Sequence, residues 1–208
     1  MPRWRSRCDP PRDRRRERIE IVTEIRALLF DLDGTLVDTR ESNYLAYRTA
    51  FQSAGYELDR PTFDGTWGQD SRDFIPALLP GLTTAQIDGI RRRKSEAYAE
   101  RLEQTVPNTA LIGFLRQMAP QLATGLVTTA KESNARAVLA HVGIADTFQV
   151  LVFGEDVEKS KPHPEAYEVA LRRLGVEPHE AIAFEDSDTG AAAAAAAGIR
   201  VVRIGRFA

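Results

Sequence analysis

The chain has one cysteine, two methionines, three histidines and a formal net charge of only −2 over 208 residues, and each scarcity removes a class of protein. Cys8 alone forms no internal disulfide, so a disulfide scaffold is excluded and a reducing cytoplasm is the expected setting. The near balance of charge gives no global pull toward nucleic acid. No apolar stretch approaches the roughly 20 residues of a membrane span. The run from Ala191 to Ala197 is too short, and Gly190 and Gly198 bound it. His141, His163 and His179 are scattered, which does not fit zinc. No internal repeat is present. What remains is 43% hydrophobic, enough for a good core built as one domain or as a domain with an insertion.

The amino terminus differs from the rest. Before residue 19 eight arginines face Asp9, Asp13 and Glu17, a net of +5. Residues 1–20 are expected to be a disordered Arg-rich leader. They hold no apolar segment for a secretory signal. A solvated leader, an unused upstream start and an arm for an acidic partner all fit.

The run Leu28-Leu29-Phe30-Asp31-Leu32-Asp33-Gly34-Thr35-Leu36-Val37-Asp38 is the strongest local signal. Residues 25–30 are apolar on both faces, which suits a strand buried in a parallel sheet. Its carboxyl end then delivers Asp31 and Asp33 into a glycine turn, at the edge where open α/β sheets bind ligands. Two like charges so close are costly unless a cation joins them or one keeps its proton. A solvated turn explains Gly34 but not both acids.

Residues 41–55 carry Tyr44, Leu45, Tyr47 and Phe51 at helical spacing and end on Gly55. A loop over 56–71, a short apolar segment over 74–79 and a long charged helix over about 84–104, capped by Thr83 or Thr84, follow. No strand is expected between residues 40 and 108. Beyond Pro107, helices over 110–118, 133–141, 164–174 and 188–197 alternate with strands over 123–128, 150–153, 181–184 and 200–204. Such alternation predicts an α/β fold with a doubly wound parallel-sheet (Rossmann-like) core. The core is assigned to 21–39 and 109–208, and 40–108 form an α-helical cap inserted after the first strand.

The other strand ends also finish in chemistry: Thr128-Thr129, Lys161 before Pro162, and Glu185-Asp186-Ser187. Oxygen ligands for a divalent cation, a lysine and hydroxyl donors are what holding a phosphoryl group requires. Standing alone, Lys161 would be a surface lysine before a helix-starting proline.

These four pieces, in this order, resemble the haloacid dehalogenase superfamily, in its helical-cap branch of phosphoglycolate phosphatases and β-phosphoglucomutases. The resemblance covers about residues 25–204. It implies a phosphatase with Asp31 as nucleophile and Asp33 as general acid and base that also binds metal through its backbone carbonyl. Thr128 and the Thr129 amide would hold the phosphoryl oxygens, although Thr129 stands where Asn or Ser is common. Lys161, not Lys159, would offset the charge. Asp31, Asp33, Asp186 and Glu185 would hold Mg²⁺, while Asp188 would cap the alanine-rich helix. The partner implied is a small-molecule phosphate ester, bound by a monomer or homodimer.

A dehalogenase works without the second aspartate or Mg²⁺, so Asp33, Glu185 and Asp186 speak against that reading. A phosphonatase needs a cap lysine, and Lys94 lies among Arg91, Arg92 and Arg93 in what reads as a solvated helix face. The loop 65–72 resembles the cap loop that faces the site in this branch. In it Trp67 and Arg72 are candidate substrate contacts, with cap packing as the alternative. A phosphomutase and a non-catalytic binding protein remain as other readings.

Overall fold

The computed structural model describes residues 24–207; the Arg-rich leader lies outside the described residues. The central sheet has five parallel strands in the order β5-β4-β1-β6-β7. These are β1 (Ala27–Phe30), β4 (Ala123–Val127), β5 (Val150–Val152), β6 (Ala181–Glu185) and β7 (Arg200–Arg203). β1 lies at the centre because it is apolar on both sides. Leu28 and Phe30 pack on one face with Leu111, Ile112 and Leu115 of α5 (Thr109–Met118) and with Val138 and Leu139 of α6 (Glu132–His141). Ala27 and Leu29 pack on the other with Tyr167, Ala170 and Leu171 of α7 (Glu165–Leu174) and with Ala193 and Ala194 of α8 (Asp188–Ala196). A strand covered on both faces by helices is the expected habitat of such a sequence.

The register brings the carboxyl ends of three strands level. Phe30 sits opposite Leu126 on one side and Phe184 on the other, so Asp31, Thr128 and Glu185 leave the sheet along one edge. The Phe30 and Phe184 rings stack at 4.7 Å behind them.

Between β2 (Val37–Asp38) and β3 (Val106–Pro107) the chain inserts a group of helices, termed the cap below: α1 (Arg40–Ser53), α2 (Arg60–Asp64), α3 (Ser71–Leu78) and α4 (Thr84–Ala99). The cap has its own apolar centre, including Ala50, Phe51, Phe63, Phe74, Ile75 and Ile90. Thr83 caps α4 and closes a reciprocal box with Gln86, as its Thr-Thr-Ala-Gln sequence allows.

β3 corrects the expectation of an unbroken helical stretch. It pairs antiparallel with β2, so the two passages between core and cap run side by side as a short ribbon. Proline at Val106-Pro107 hides this strand from periodicity, and two residues are too few to show alternation. Among the described residues no helix is long and apolar enough to cross a membrane.

Candidate active site

The turn after β1 shapes the site first. The Asp31 amide donates to the Phe184 carbonyl at 3.1 Å, tying the residue to the sheet edge. The chain then folds tightly, with the Gly34 amide on the Val37 carbonyl at 2.7 Å and the Val37 amide on that of Leu32 at 3.1 Å. Gly34 has φ +92°, and a Cβ there would collide with the Asp186 carboxylate. Glycine is therefore required twice, by conformation and by space.

Lys161, 5% exposed, joins the strand ends. Its ammonium donates to Asp31 Oδ1 at 2.8 Å, Glu185 Oε1 at 2.6 Å and the Val127 carbonyl at 2.9 Å, which satisfies all three N–H bonds. Burial works to lower the pKa of this lysine, but the Asp31 and Glu185 carboxylates outweigh it and hold the pKa above the usual lysine range. Glu185 is fully buried and also accepts from the Tyr167 hydroxyl at 2.6 Å. Burial pushes its carboxyl up to about 7, with Lys161 pulling the other way. Burial and the neighbouring Asp31 charge push Asp186 up to about 6.

Asp33 accepts from the Thr39 hydroxyl, which itself accepts from Asn43 Nδ2 at 2.9 Å. Burial, reinforced by the Asp31 charge, raises the Asp33 pKa against the pull of the Thr39 bond. Such a carboxyl keeps a proton longer than a solvated one. Thr128 is buried, and its oxygen accepts from the Ala130 amide at 3.0 Å, leaving its own O–H to donate elsewhere. Asp31, Asp33, Thr128, Thr129, Lys161 and Asp186 line one pocket under the cap.

Asp31, Glu185 and Asp186 place carboxylate oxygens within 4.8 Å of one another. Asp31 and Glu185 share the Lys161 ammonium, Asp186 meets the Arg40 guanidinium at 3.4 Å, and among the described residues no histidine or cysteine joins the set. The residues present fit a hard divalent cation rather than zinc.

The chain matches the family model described as haloacid dehalogenase-like hydrolase over residues 28–204. It belongs to that family. It is 31% identical over 178 residues to the phosphorylated carbohydrates phosphatase of Thermotoga maritima, covering 83% of this chain and 82% of that one. It is 26% identical over 192 residues to the β-phosphoglucomutase of Bacillus subtilis, at 86% and 84% coverage. CbbY from Rhodobacter sphaeroides, solved in complex with phosphate, superposes with a TM-score of 0.81 at 28% identity, covering 88% of this chain and 87% of that one. This haloacid dehalogenase-like protein is accordingly a phosphatase-type enzyme, a hydrolase of phosphate esters on small molecules.

Within this family member, three expectations change. Lys94 is not on a solvated face: it is 9% exposed, its ammonium lies 4.3 Å from the Tyr98 ring centroid and 4.9 Å from that of Tyr47, and it lines the pocket. Burial lowers its pKa to about 8, with the Asp33 charge opposing. The Arg91–Lys94 run divides because the helix turns. Arg92 and Arg93 face out, whereas Lys94 falls in the stripe Ile90, Lys94, Ala97, Tyr98, whose spacing is the signal that could have placed it inward.

Arg72 is the second change, since it does not line the pocket. Its guanidinium is held by Asp70 Oδ2 at 2.8 Å, Ser160 Oγ at 2.8 Å and the Gly154 carbonyl at 3.1 Å, clasping the cap to the loop that carries Lys161. Arg72→Ala is expected to raise KM about tenfold by loosening this charge-assisted clasp, with the fold intact by circular dichroism. Third, Ser187 rather than Asp188 caps α8, accepting from the Gly190 amide at 3.1 Å. Asp188 is one residue inside the helix and pairs outward with Arg203 at 2.9 Å.

Trp67 lines the pocket, and its indole N–H also donates to Asp186 Oδ2 at 3.0 Å. Sequence reasoning missed Thr39, Asn43 and Tyr167, whose roles depend on partners far along the chain. The alanines of α8 acquire a purpose here. Its helix lies so close to β6 that a Cβ on Gly190 would run into the Glu185 carboxylate. Gly190→Ala is expected to cost at least about 1–3 kcal/mol of stability by overpacking, measured by denaturant unfolding, and to lower turnover by displacing Glu185.

Proposed function

We propose that this chain is a Mg²⁺-dependent phosphomonoesterase of a small phosphorylated carbohydrate, working through an aspartyl-phosphate on Asp31. One observation carries the reading: a buried Asp31 ion-paired to Lys161 shares its pocket with Asp33, a carboxyl whose pKa burial raises.

The Asp31 carboxylate oxygen attacks phosphorus, and the ester P–O bond breaks. Asp33, still protonated, gives its proton to the departing alcohol oxygen. Asp33 then takes a proton from water, which attacks the aspartyl-phosphate, releases inorganic phosphate and restores Asp31. The Thr128 hydroxyl and the Thr129 amide donate to the phosphoryl oxygens, and Lys161 balances their charge. Mg²⁺, held by Asp31, Asp186, Glu185 and the Asp33 carbonyl, would neutralise charge on the phosphoryl group. Residues 40–108 act as the cap that excludes bulk water.

Substrate choice is read from the cap wall. Tyr47, Phe63, Trp67 and Phe74 present aromatic surface beside the amides of Asn43 and Gln69, a combination that suits a sugar ring with its hydroxyls. The name of the Thermotoga relative points the same way. Lys94 meets an anionic or hydroxyl group of the alcohol. Its pKa near 8 predicts that KM climbs as pH rises from about 7 to 9, because the ammonium loses its charge, and that Lys94→Met flattens this rise.

Phosphate release from a panel of small phosphate esters, with Mg²⁺ or with excess chelator, tests the proposal. Release that depends on metal supports it, and no release from any ester would reject it. A phosphomutase is the second reading, favoured by Lys94 and Arg91 in the pocket, which suit a substrate with a second anionic group, and by the Bacillus relative. Conversion of one sugar phosphate into its isomer, stimulated by a bisphosphate, would identify it.

A further inference from the structure

The loop at the tip of the cap does more than cover the pocket. It is seated on the turn between β6 and α8, the turn that follows Glu185 and carries Asp186. The Gly68 carbonyl accepts from Thr189 Oγ1 at 2.9 Å, and a Cβ on Gly68 would stand 2.8 Å from Ser187 Cβ, so the loop backbone touches the turn directly. Trp67, the preceding residue, reaches across to Asp186 Oδ2 with its indole N–H at 3.0 Å. The Arg40 guanidinium lies 4.6 Å from the indole ring centroid and approaches the same oxygen at 3.4 Å. The indole is thus held by a cation on its face and by a carboxylate at its edge.

We infer that Trp67 is a positioning residue for Asp186, so that seating of the cap loop and binding of a divalent cation at Asp31, Glu185 and Asp186 reinforce each other. The inference rests on the reading of these carboxylates as the cation site.

A carboxylate has two oxygens, and the one that accepts from Trp67 is engaged by the cap. The other, Oδ1, takes no part in the indole bond, and the Asp186 carboxylate as a whole has an oxygen within 4.8 Å of carboxylate oxygens of Asp31 and Glu185. With the carboxylate plane fixed from outside, the ligand needs no reorientation when the cation arrives, and groups bonded to a metal ligand commonly change affinity about 10–100-fold when removed. Coupling of this kind is reciprocal: whatever the seated loop adds to cation affinity, the cation adds to loop seating. The chain therefore has a route by which the phosphoryl-binding end reports its occupancy to the cap before any substrate contacts it. The indole also lines the pocket, so the residue that orients the cation ligand also forms part of the wall against which the alcohol portion packs.

The test uses the full chain without substrate. Mg²⁺ and Mn²⁺ are titrated calorimetrically into wild type and Trp67→Phe, with unfolding temperatures recorded to show that both are folded. Independently, tryptophan emission is followed in Trp4→Phe, which leaves Trp67 as the single tryptophan because the chain has only two. The expected results are cation binding about tenfold or more weaker in Trp67→Phe, and an emission change in Trp4→Phe that saturates at the calorimetric affinity. Equal or tighter binding by Trp67→Phe would overturn the coupling, and so would emission that ignores the cation. If wild type itself bound neither cation while Asp31 remained essential for phosphate release, the failure would lie in the cation-site reading, and the inference would fall with it.

Discussion

Asp31→Asn is expected to abolish phosphate release, by at least about 10⁴-fold in kcat, while the protein still folds. The change keeps side-chain volume and removes the nucleophilic oxygen charge, and residues that act as one catalytic unit lose nearly everything when one is removed. Stability should not fall with activity. Asp31 is one of two carboxylates on a single buried ammonium, so neutralising it relieves repulsion toward Glu185 and Asp186 while costing one charge-assisted bond to Lys161. Initial rates on the best ester, beside a thermal unfolding scan, decide the matter. Near-normal metal-dependent turnover by Asp31→Asn would remove the aspartyl-phosphate mechanism.

Lys161→Met is expected to have the second largest effect, and to strike stability as well as activity. The ammonium makes three buried bonds, two of them to carboxylates. Removing it leaves Glu185 fully buried with only the Tyr167 hydroxyl near its Oε1, and an uncompensated buried charge of this kind costs about 3–5 kcal/mol. Adding Glu185→Gln to Lys161→Met removes that charge, so the double variant should regain much of the stability while remaining inactive. Urea unfolding of the four proteins of this cycle measures the coupling. Additive losses would mean that the two side chains do not act as a pair.

Much of the site was legible because it is built from short local signals placed on a regular frame. Apolar strands that end in Asp31, Thr128 and Glu185 fall on one edge once the sheet is parallel, and alternation of helix and strand after Pro107 requires it to be parallel. The side chains of the cap were harder to read. Lys94 was hidden by its three arginine neighbours, since composition reports a charged run whereas helical geometry divides it between two faces. Arg72 resembled an anion grip, and only the presence of Asp70 and Ser160 on either side of the guanidinium shows it to be a clasp.

The amino-acid sequence by itself determined the α/β class, the place of the helical insertion and the order in which carboxylates, hydroxyls and lysine meet the sheet edge. Those features follow from periodicity and from residues a few positions apart, where chain geometry allows few alternatives. The tertiary structure alone decided which groups pair across the cleft. Trp67 finds Asp186 119 positions away, and Arg72 finds Ser160 88 positions away. Such pairings depend on how two packed layers come together, and no local pattern encodes the distance between side chains that the chain brings close only after folding.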